Sequence, residues 1–324
     1  MGEKQWITPR SFLFNILNGL AIAIVVGMLP NAILGDLSKY LSQYNEIFSK
    51  IAVVVQGIQY TIPILTGVLI AIQFNLTQLQ TAVVGAATFV GSGATTITNH
   101  QWVITGIGDL INTMITGAIA VGIILIIGDR AGSLNMIILP IVAGGIPGLL
   151  GLLLLPYTKL ITVGIGSVVN SLTNTQPIIM TILIAVIFSI LIVSPISAIG
   201  IGIAIGISGL AAGSAAVGVS ASAIMLALGA WRVNKVGVPI SVLLGAVKLM
   251  MPNTIRHPII FLPVTCTAAV SGLVGVLLNI KGTPDSAGFG LIGLVGPIKS
   301  LNLLGTSMGS GLLLVAITYV IVPI

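Results

Sequence analysis

The residues best suited to chemistry lie in three short polar runs within otherwise apolar sequence. The first is Pro252-Asn253-Thr254-Ile255-Arg256-His257-Pro258. An ionisable side chain inside membrane sequence is costly and faces a cavity or a partner. The His257 imidazole can donate and accept hydrogen bonds to a polar solute, or carry a proton near neutral pH. Pro252 and Pro258 break the helix on either side and release backbone groups for a ligand. The plainer reading is a water interface between two spans, with Arg256 reaching outward along its apolar stem.

The second run, Asn174-Thr175-Gln176, directly precedes Pro177. Its amides and hydroxyl suit a neutral polar ligand, and equally suit an ordinary helix start. The third is Gly282-Thr283-Pro284-Asp285-Ser286. Asp285 is either a hydrogen-bond acceptor at a hairpin tip or a simple turn residue. Two isolated charges complete the set. Lys248 lies in an apolar segment, to pair with Asp109 or Asp285 or to snorkel. Asp109 falls early in a span, as a relay group or as a cap of the first turn. His100, beside Trp102, reads as part of an interfacial belt. The candidate binding residues are therefore Asn174, Gln176, Asn253, Arg256, His257, Thr283 and Asp285, with Asp109 and Lys248 as relay or pairing groups.

Other chemistries lack their residues. There is no phosphate-binding Walker loop, no His-Glu-x-x-His, no Cys-x-x-Cys and no pair of acids in one segment. The Gly-x-Gly spacing around 200–206 sits in apolar helix, where small residues serve helix packing. The lone Cys266 lies in an apolar run and excludes an intrachain disulfide. No catalytic constellation, metal site or cofactor is expected.

Composition names the elements that must position these groups. Of 324 residues, 56% are hydrophobic and 6% charged, with a mean hydropathy of +1.19. Too little charge remains to cover a soluble surface, so the repeated apolar runs predict a polytopic all-α membrane protein. The net charge of +6 comes from scattered lysines and arginines at segment ends, with no basic face for nucleic acid. The 40 glycines suit close helix approach and helix breaks buried in protein.

After a short tail (1–11), apolar segments are expected at 12–33, 51–72 with a kink at Pro63, 77–97, 103–127 and 136–155. Further segments follow at 177–193, 194–229 as two pieces, 236–251, 259–280 and 303–324. Amphipathic connectors are expected at 35–50 and 157–175, and a re-entrant hairpin at 282–299. About nine or ten spans result, with one or two broken or re-entrant elements. Similar order in an N-terminal half (12–155) and a C-terminal half (156–324) suggests a pseudo-repeat, an arrangement that places a binding site at broken helices.

Three stretches, Asn174-Thr175-Gln176-Pro177-Ile178, Pro252-Asn253-Thr254-Ile255-Arg256-His257-Pro258 and Gly282-Thr283-Pro284-Asp285-Ser286-Ala287-Gly288-Phe289-Gly290, carry a resemblance. The chain resembles enzyme IIC, the membrane permease subunit of the bacterial phosphoenolpyruvate-dependent sugar phosphotransferase system. The likeness is greatest to a divergent branch that includes perfringolysin-regulator-like proteins. The resemblance implies a multi-pass protein of the bacterial inner membrane, with a scaffolding and dimerising N-terminal half and a moving, solute-binding C-terminal half. It implies a sugar as solute, a homodimer, and phosphorylation by separate IIA and IIB proteins. Family members generally hold the sugar with a Glu-Pro motif. Here the equivalents read Gln176-Pro177 and His257-Pro258, and no glutamate follows Glu46. Alternative expectations are a membrane sensor that kept the permease fold without transport, and a permease coupled to protons or ions through His257 and Asp109.

Overall fold

The computed structural model describes residues 8–128, 130, 132–284, 286–305 and 308–324. The fold is helical, with one two-stranded antiparallel sheet. Six helical runs are long and apolar enough to cross a membrane: Pro9–Lys39, Leu110–Ile127, Asn135–Leu172, Gly209–Trp231, Gly237–Arg256 and Pro258–Leu277. The bent pair Glu46–Tyr60 and Ile62–Gln73 would make a seventh. Three shorter apolar helices, Pro177–Ile192, Ile292–Leu304 and Gly309–Ile321, must be counted as well to approach the expected nine or ten. The chain divides into two compact units, one of 1–27 and 59–158, the other of 28–58 and 159–324.

Helix α1 (Pro9–Leu41) contributes its first part to the first unit and its last part to the second. Its apolar register runs on past residue 35, so the first half of the expected connector is the end of α1. A turn at 42–44 separates it from α2 (Glu46–Tyr60). Helix α3 (Ile62–Gln73) begins with Pro63, which is tolerated where an amide would have no partner. Helix α4 (Gln78–Gly91) opens on a capping box between Thr77 and Gln80.

Strands β1 (Thr95–Thr98) and β2 (Gln101–Ile104) then form a hairpin where the sequence suggested the end of one apolar segment and an interfacial belt around His100 and Trp102. Asn99 and His100 both take positive φ, the two-residue geometry that matches strand twist. Helix α5 (Leu110–Ile127) is capped by Asp109, whose carboxylate accepts from the Asn112 amide at 2.7 Å. Helix α6 (Asn135–Ile138), a π-helical stretch (Leu139–Gly145) and α7 (Ile146–Leu172) run on without a break. The second connector expected at 157–175 is thus mostly the far end of α7, which passes Pro156 as a helix.

The first unit packs Ile70, Val83, Val84, Ala87, Val121, Ile124 and Leu139 around the buried Ile16 of α1. Asn112 clamps it. Its side-chain amide donates to the Gly91 and Gly151 carbonyls at 2.5 and 2.8 Å, joining α5 to α4 and α7.

The second unit is built on α8 (Pro177–Ile192), α10 (Gly209–Trp231) and α13 (Phe261–Leu277). Met180, Ile184, Phe188, Ala215, Val219, Ala223 and Val264 share one core. Small residues let the backbones close up: a Cβ on Gly272 would lie 2.7 Å from the Thr181 carbonyl oxygen. The short α9 (Ala198–Ala204) lies between α8 and α10 in sequence, giving the two pieces expected at 194–229. The segment expected at 236–251 is a kinked succession: α11 (Gly237–Ser241), a π-helical turn, a 3-10 turn and α12 (Met251–Arg256). Helix α14 (Val295–Leu304) and α15 (Met308–Ala316) end the chain, the latter continued by a π-helical turn to Ile321. The two halves also share a glycine-serine stretch, Gly91-Ser92-Gly93-Ala94 and Gly213-Ser214-Ala215-Ala216, and the two copies fall in unlike places. Gly91-Ser92-Gly93 leads into the hairpin, whereas Gly213-Ser214-Ala215 lies inside α10.

Candidate functional site

Irregular backbone in lipid is stable only when buried in protein or lining a cavity. Three irregular segments of the second unit therefore define the candidate site. The first is the break between α8 and α9. Pro195 has no amide to donate, and Ser197 restarts the helix by accepting from the Gly200 amide at 3.0 Å. The break leaves the carbonyls of Ser194 and Ile196 without helical partners.

The second segment supplies those partners. The kinked run 237–256 places Lys248 in its 3-10 turn, with the side chain only 6% exposed. The ammonium donates to the Ser194 carbonyl at 2.5 Å and to the Ile196 carbonyl at 2.9 Å. Lys248 thus bonds to backbone carbonyls just past the C-terminus of α8, the negative end of its dipole. Among the described residues its hydrogen bonds go to these two carbonyls and not to Asp109. The kink above it is tight: a Cβ on Gly245 would lie 2.8 Å from Cδ1 of Leu29.

The third segment is the loop 281–291, where a re-entrant element was expected. Gly282 and Gly209 exchange both backbone hydrogen bonds, at 2.9 and 3.1 Å. Ser286 fastens the turn, accepting from the Thr283 amide at 2.8 Å and donating to the Thr283 carbonyl at 3.0 Å. Ser286, Ala287, Gly288 and Gly290 are buried. A Cβ on Gly288 would meet Ile199 of α9, and one on Gly290 would lie 2.8 Å from the Ala216 carbonyl of α10. The Thr283 hydroxyl is buried and has no hydrogen-bond partner among the described residues. Such a group is normally answered by water or a ligand. Asp285, named with Thr283 from the sequence, lies outside the described residues.

Helix register gives the remaining candidates their depth. Gly218 of α10 packs on Ala185 of α8, and the Ser222 hydroxyl donates to the Ser189 carbonyl at 3.0 Å, so α8 and α10 run parallel. Extending that register sets Gly209, and with it Gly282 and Thr283, level with Gln176. Asn174 and Gln176 are exposed in the turn before α8, and Gln176 makes no side-chain cap. Asn253, Arg256 and His257 are also exposed, a few residues beyond Lys248 at the other end of α8. By helical rise, α8 is about 24 Å long. The structure therefore sets Thr283 level with Gln176, and holds Asn253, Arg256 and His257 near the Lys248 end. Asp109, the cap of α5, belongs to the first unit.

The carbonyls of Ser194 and Ile196 were not singled out in the sequence. Their signal is Ser-Pro-Ile-Ser directly after a long apolar run, together with one lysine lacking a sequence neighbour of opposite charge.

Among the described residues no group of histidine, cysteine and acidic side chains could hold a metal. No match was found among curated proteins or among solved structures. A comparison with known protein families matches residues 14–324 to the family described as Phosphotransferase system, EIIC. With nearly its whole length matched, and with helices suited to a bilayer, the chain belongs to the phosphotransferase system EIIC family and is an integral membrane component of that system.

Proposed function

We propose that the chain is a permease that binds a polar solute, a sugar, in its second unit and passes it across the membrane to separate IIA and IIB proteins for phosphorylation. The observation that carries this reading is the buried Thr283 hydroxyl, without a partner among the described residues, in a loop packed on α9 and α10. A buried hydroxyl left unpaired is costly, which favours a ligand that brings its own hydrogen-bonding groups. Asn174 and Gln176 then line the approach from the Thr283 side, and Asn253, Arg256 and His257 the approach from the Lys248 side, while Asp285 stays the candidate acceptor named from the sequence. Residues 159–324 hold no other carboxylate, so solute recognition relies on amides, hydroxyls and one imidazole. The second unit moves and the first provides a homodimeric scaffold in the bacterial inner membrane.

The test is uptake of a panel of radiolabelled sugars into vesicles holding the protein with IIA, IIB and a phosphodonor. Uptake of at least one sugar is expected, lowered at least tenfold by Thr283→Val and His257→Ala. No uptake across the panel, or uptake indifferent to both substitutions, overturns the reading.

A second reading is a membrane sensor with a permease fold. It is favoured by Lys248, whose charge is taken up by the chain's own carbonyls instead of being offered to a solute. Sugar binding without uptake, together with altered gene expression in a deletion strain, would select it.

A further inference from the structure

The hairpin of β1 and β2 takes no part in the solute reading above. Its register pairs Ile97 with Trp102 and Thr95 with Ile104. Directly opposed residues share a face of the pleat, so Thr95, Ile97, Trp102 and Ile104 form one face. Thr96, Thr98, Gln101 and Val103 form the other. On the first face Ile97 is 63% exposed, Trp102 65% and Ile104 52%. From Gly91 to Gly108 the sequence carries no Asp, Glu, Lys or Arg. A charged partner therefore finds no counter-charge on this surface, and an apolar one finds an indole between two isoleucines.

Helix α5, in the same unit, sets the depth. It has 18 residues with neither proline nor charge, about 27 Å by helical rise, against a hydrocarbon core of about 30 Å. Asp109 caps one end, and at the other Arg130 donates to the Ile126 carbonyl at 3.1 Å. Charged groups thus bracket a helix just long enough to cross. The hairpin is rooted at the Asp109 end. The Asp109 amide donates to the Ser92 carbonyl at 2.9 Å, the Thr105 amide donates to the Ala94 carbonyl at 2.8 Å, and Ala94 is fully buried. Thr95 and Ile104 therefore start near the edge of the hydrocarbon. Ile97 and Trp102 follow two residues on, within about 7 Å, and the headgroup layer is about 5–8 Å thick. The sheet has two strands, so its outer edges carry backbone groups that no further strand pairs among the described residues. Open edges do not enter hydrocarbon. An uncharged apolar face flanked by such edges fits the boundary between headgroups and acyl chains, the level that indole rings also favour.

We propose that this hairpin is a membrane-interface anchor. Ile97, Trp102 and Ile104 rest on the upper acyl chains of the leaflet at the start of α5, and Thr96, Thr98 and Gln101 face water. The partner is a phospholipid surface, taken up without preference for its charge.

The experiment uses the full chain with Trp102 as its sole tryptophan (Trp6→Phe, Trp231→Phe), in vesicles of phosphatidylcholine brominated near the glycerol end of the acyl chains. Bromine quenches only indoles that it touches. Trp102 emission is expected to fall roughly twofold against unbrominated vesicles, as for an indole of the aromatic belt, and acrylamide on both sides of the membrane should quench it little. Moving the indole to the other face, by Gln101→Trp with Trp102→Phe, should reverse both results. Both positions are exposed, so neither change reaches the core. Mixing in phosphatidylglycerol should leave the bromine quenching of Trp102 unchanged. Trp102 open to acrylamide and untouched by bromine would overturn the proposal, leaving the face to a soluble protein. Trp102 shielded from both would overturn it in favour of a second copy of the chain. Equal bromine quenching at 101 and 102, or quenching that depends on phosphatidylglycerol, would overturn it as well.

Discussion

Replacing Lys248 with methionine tests whether the α8–α9 break is held by that one ammonium. Methionine keeps most of the stem and its packing, and removes only the donor. Two carbonyls, those of Ser194 and Ile196, would lose bonds of 2.5 and 2.9 Å. A buried acceptor left unpaired costs roughly 1–3 kcal/mol. Burial of the ammonium itself costs several kcal/mol, and its bonds to the carbonyls offset that cost in the native protein. Both terms vanish in the variant, so the two orphaned carbonyls alone set the net loss, about 2–6 kcal/mol. The loss should be local, since the cheapest remedy is to open the break to water. Denaturant unfolding in detergent should show the destabilisation, and hydrogen exchange should speed up at residues 196–201 while the centre of α10 stays protected. Lys248→Arg, which keeps a donor but changes its shape, should fall between the two. A methionine variant within about 0.5 kcal/mol of the parent, the usual range for surface substitutions, would refute the reasoning, because it would mean that the carbonyls never depended on Lys248.

Other outcomes follow from the same geometry. Asn112→Leu should destabilise the first unit by about 2–3 kcal/mol, since the Gly91 and Gly151 carbonyls both lose their donor; thermal unfolding in detergent measures it. Tyr319→Phe should cost about 1 kcal/mol by the same assay, because only the bond to Ser300 at 2.8 Å is lost while the buried ring remains. Gly272→Leu should abolish the folded, monodisperse species in size-exclusion chromatography, since no side chain fits between α13 and the Thr181 carbonyl. His257→Ala should leave stability within about 0.5 kcal/mol of the parent, as its side chain is exposed. A larger shift in unfolding free energy would show that His257 is structural.

Local rules made much of the helical order legible. Pro63 and Pro177 stand in the first turns of α3 and α8, Thr77 and Gln80 form a capping box, and Asp109 caps α5. Each is decided by neighbours within four residues. The hairpin was legible too, and overlooked. The β-branched run Thr95-Thr96-Ile97-Thr98 and the run Gln101-Trp102-Val103-Ile104 flank the two turn residues Asn99 and His100, but a histidine at positive φ is an unusual hairpin signal. The continuation of α1 and α7 into the expected connectors was hidden for the opposite reason. A few polar residues on an apolar helix read as an interface, although nothing stops α1 before Leu41 or α7 before Leu172. The site was least legible. Lys248 and Ser194 are 54 residues apart, and no periodicity or cap links them. Only the packing of α10 against α8 and the kink makes that bond.

The chemistry of that bond bears on how the family fold can be used here. A carboxylate partner would have fixed Lys248 as an ion pair, strong only while both members stay together and costly to separate at membrane depth. Backbone carbonyls are weaker and more numerous, and any helix end can offer them. A break held by an ammonium on carbonyls can therefore re-form on other carbonyls after a shift of one element past another, without stranding a counter-charge. The sequence supplies few counter-charges for such a bond, since Asp285 is the one acidic residue in 159–324. The Lys248→Met and Lys248→Arg pair separates this view from a purely structural staple. If the bond only staples the break, solute uptake should follow stability in both variants. If it must break and re-form, Lys248→Arg, with its stiffer planar fork, should slow uptake more than its loss of stability explains.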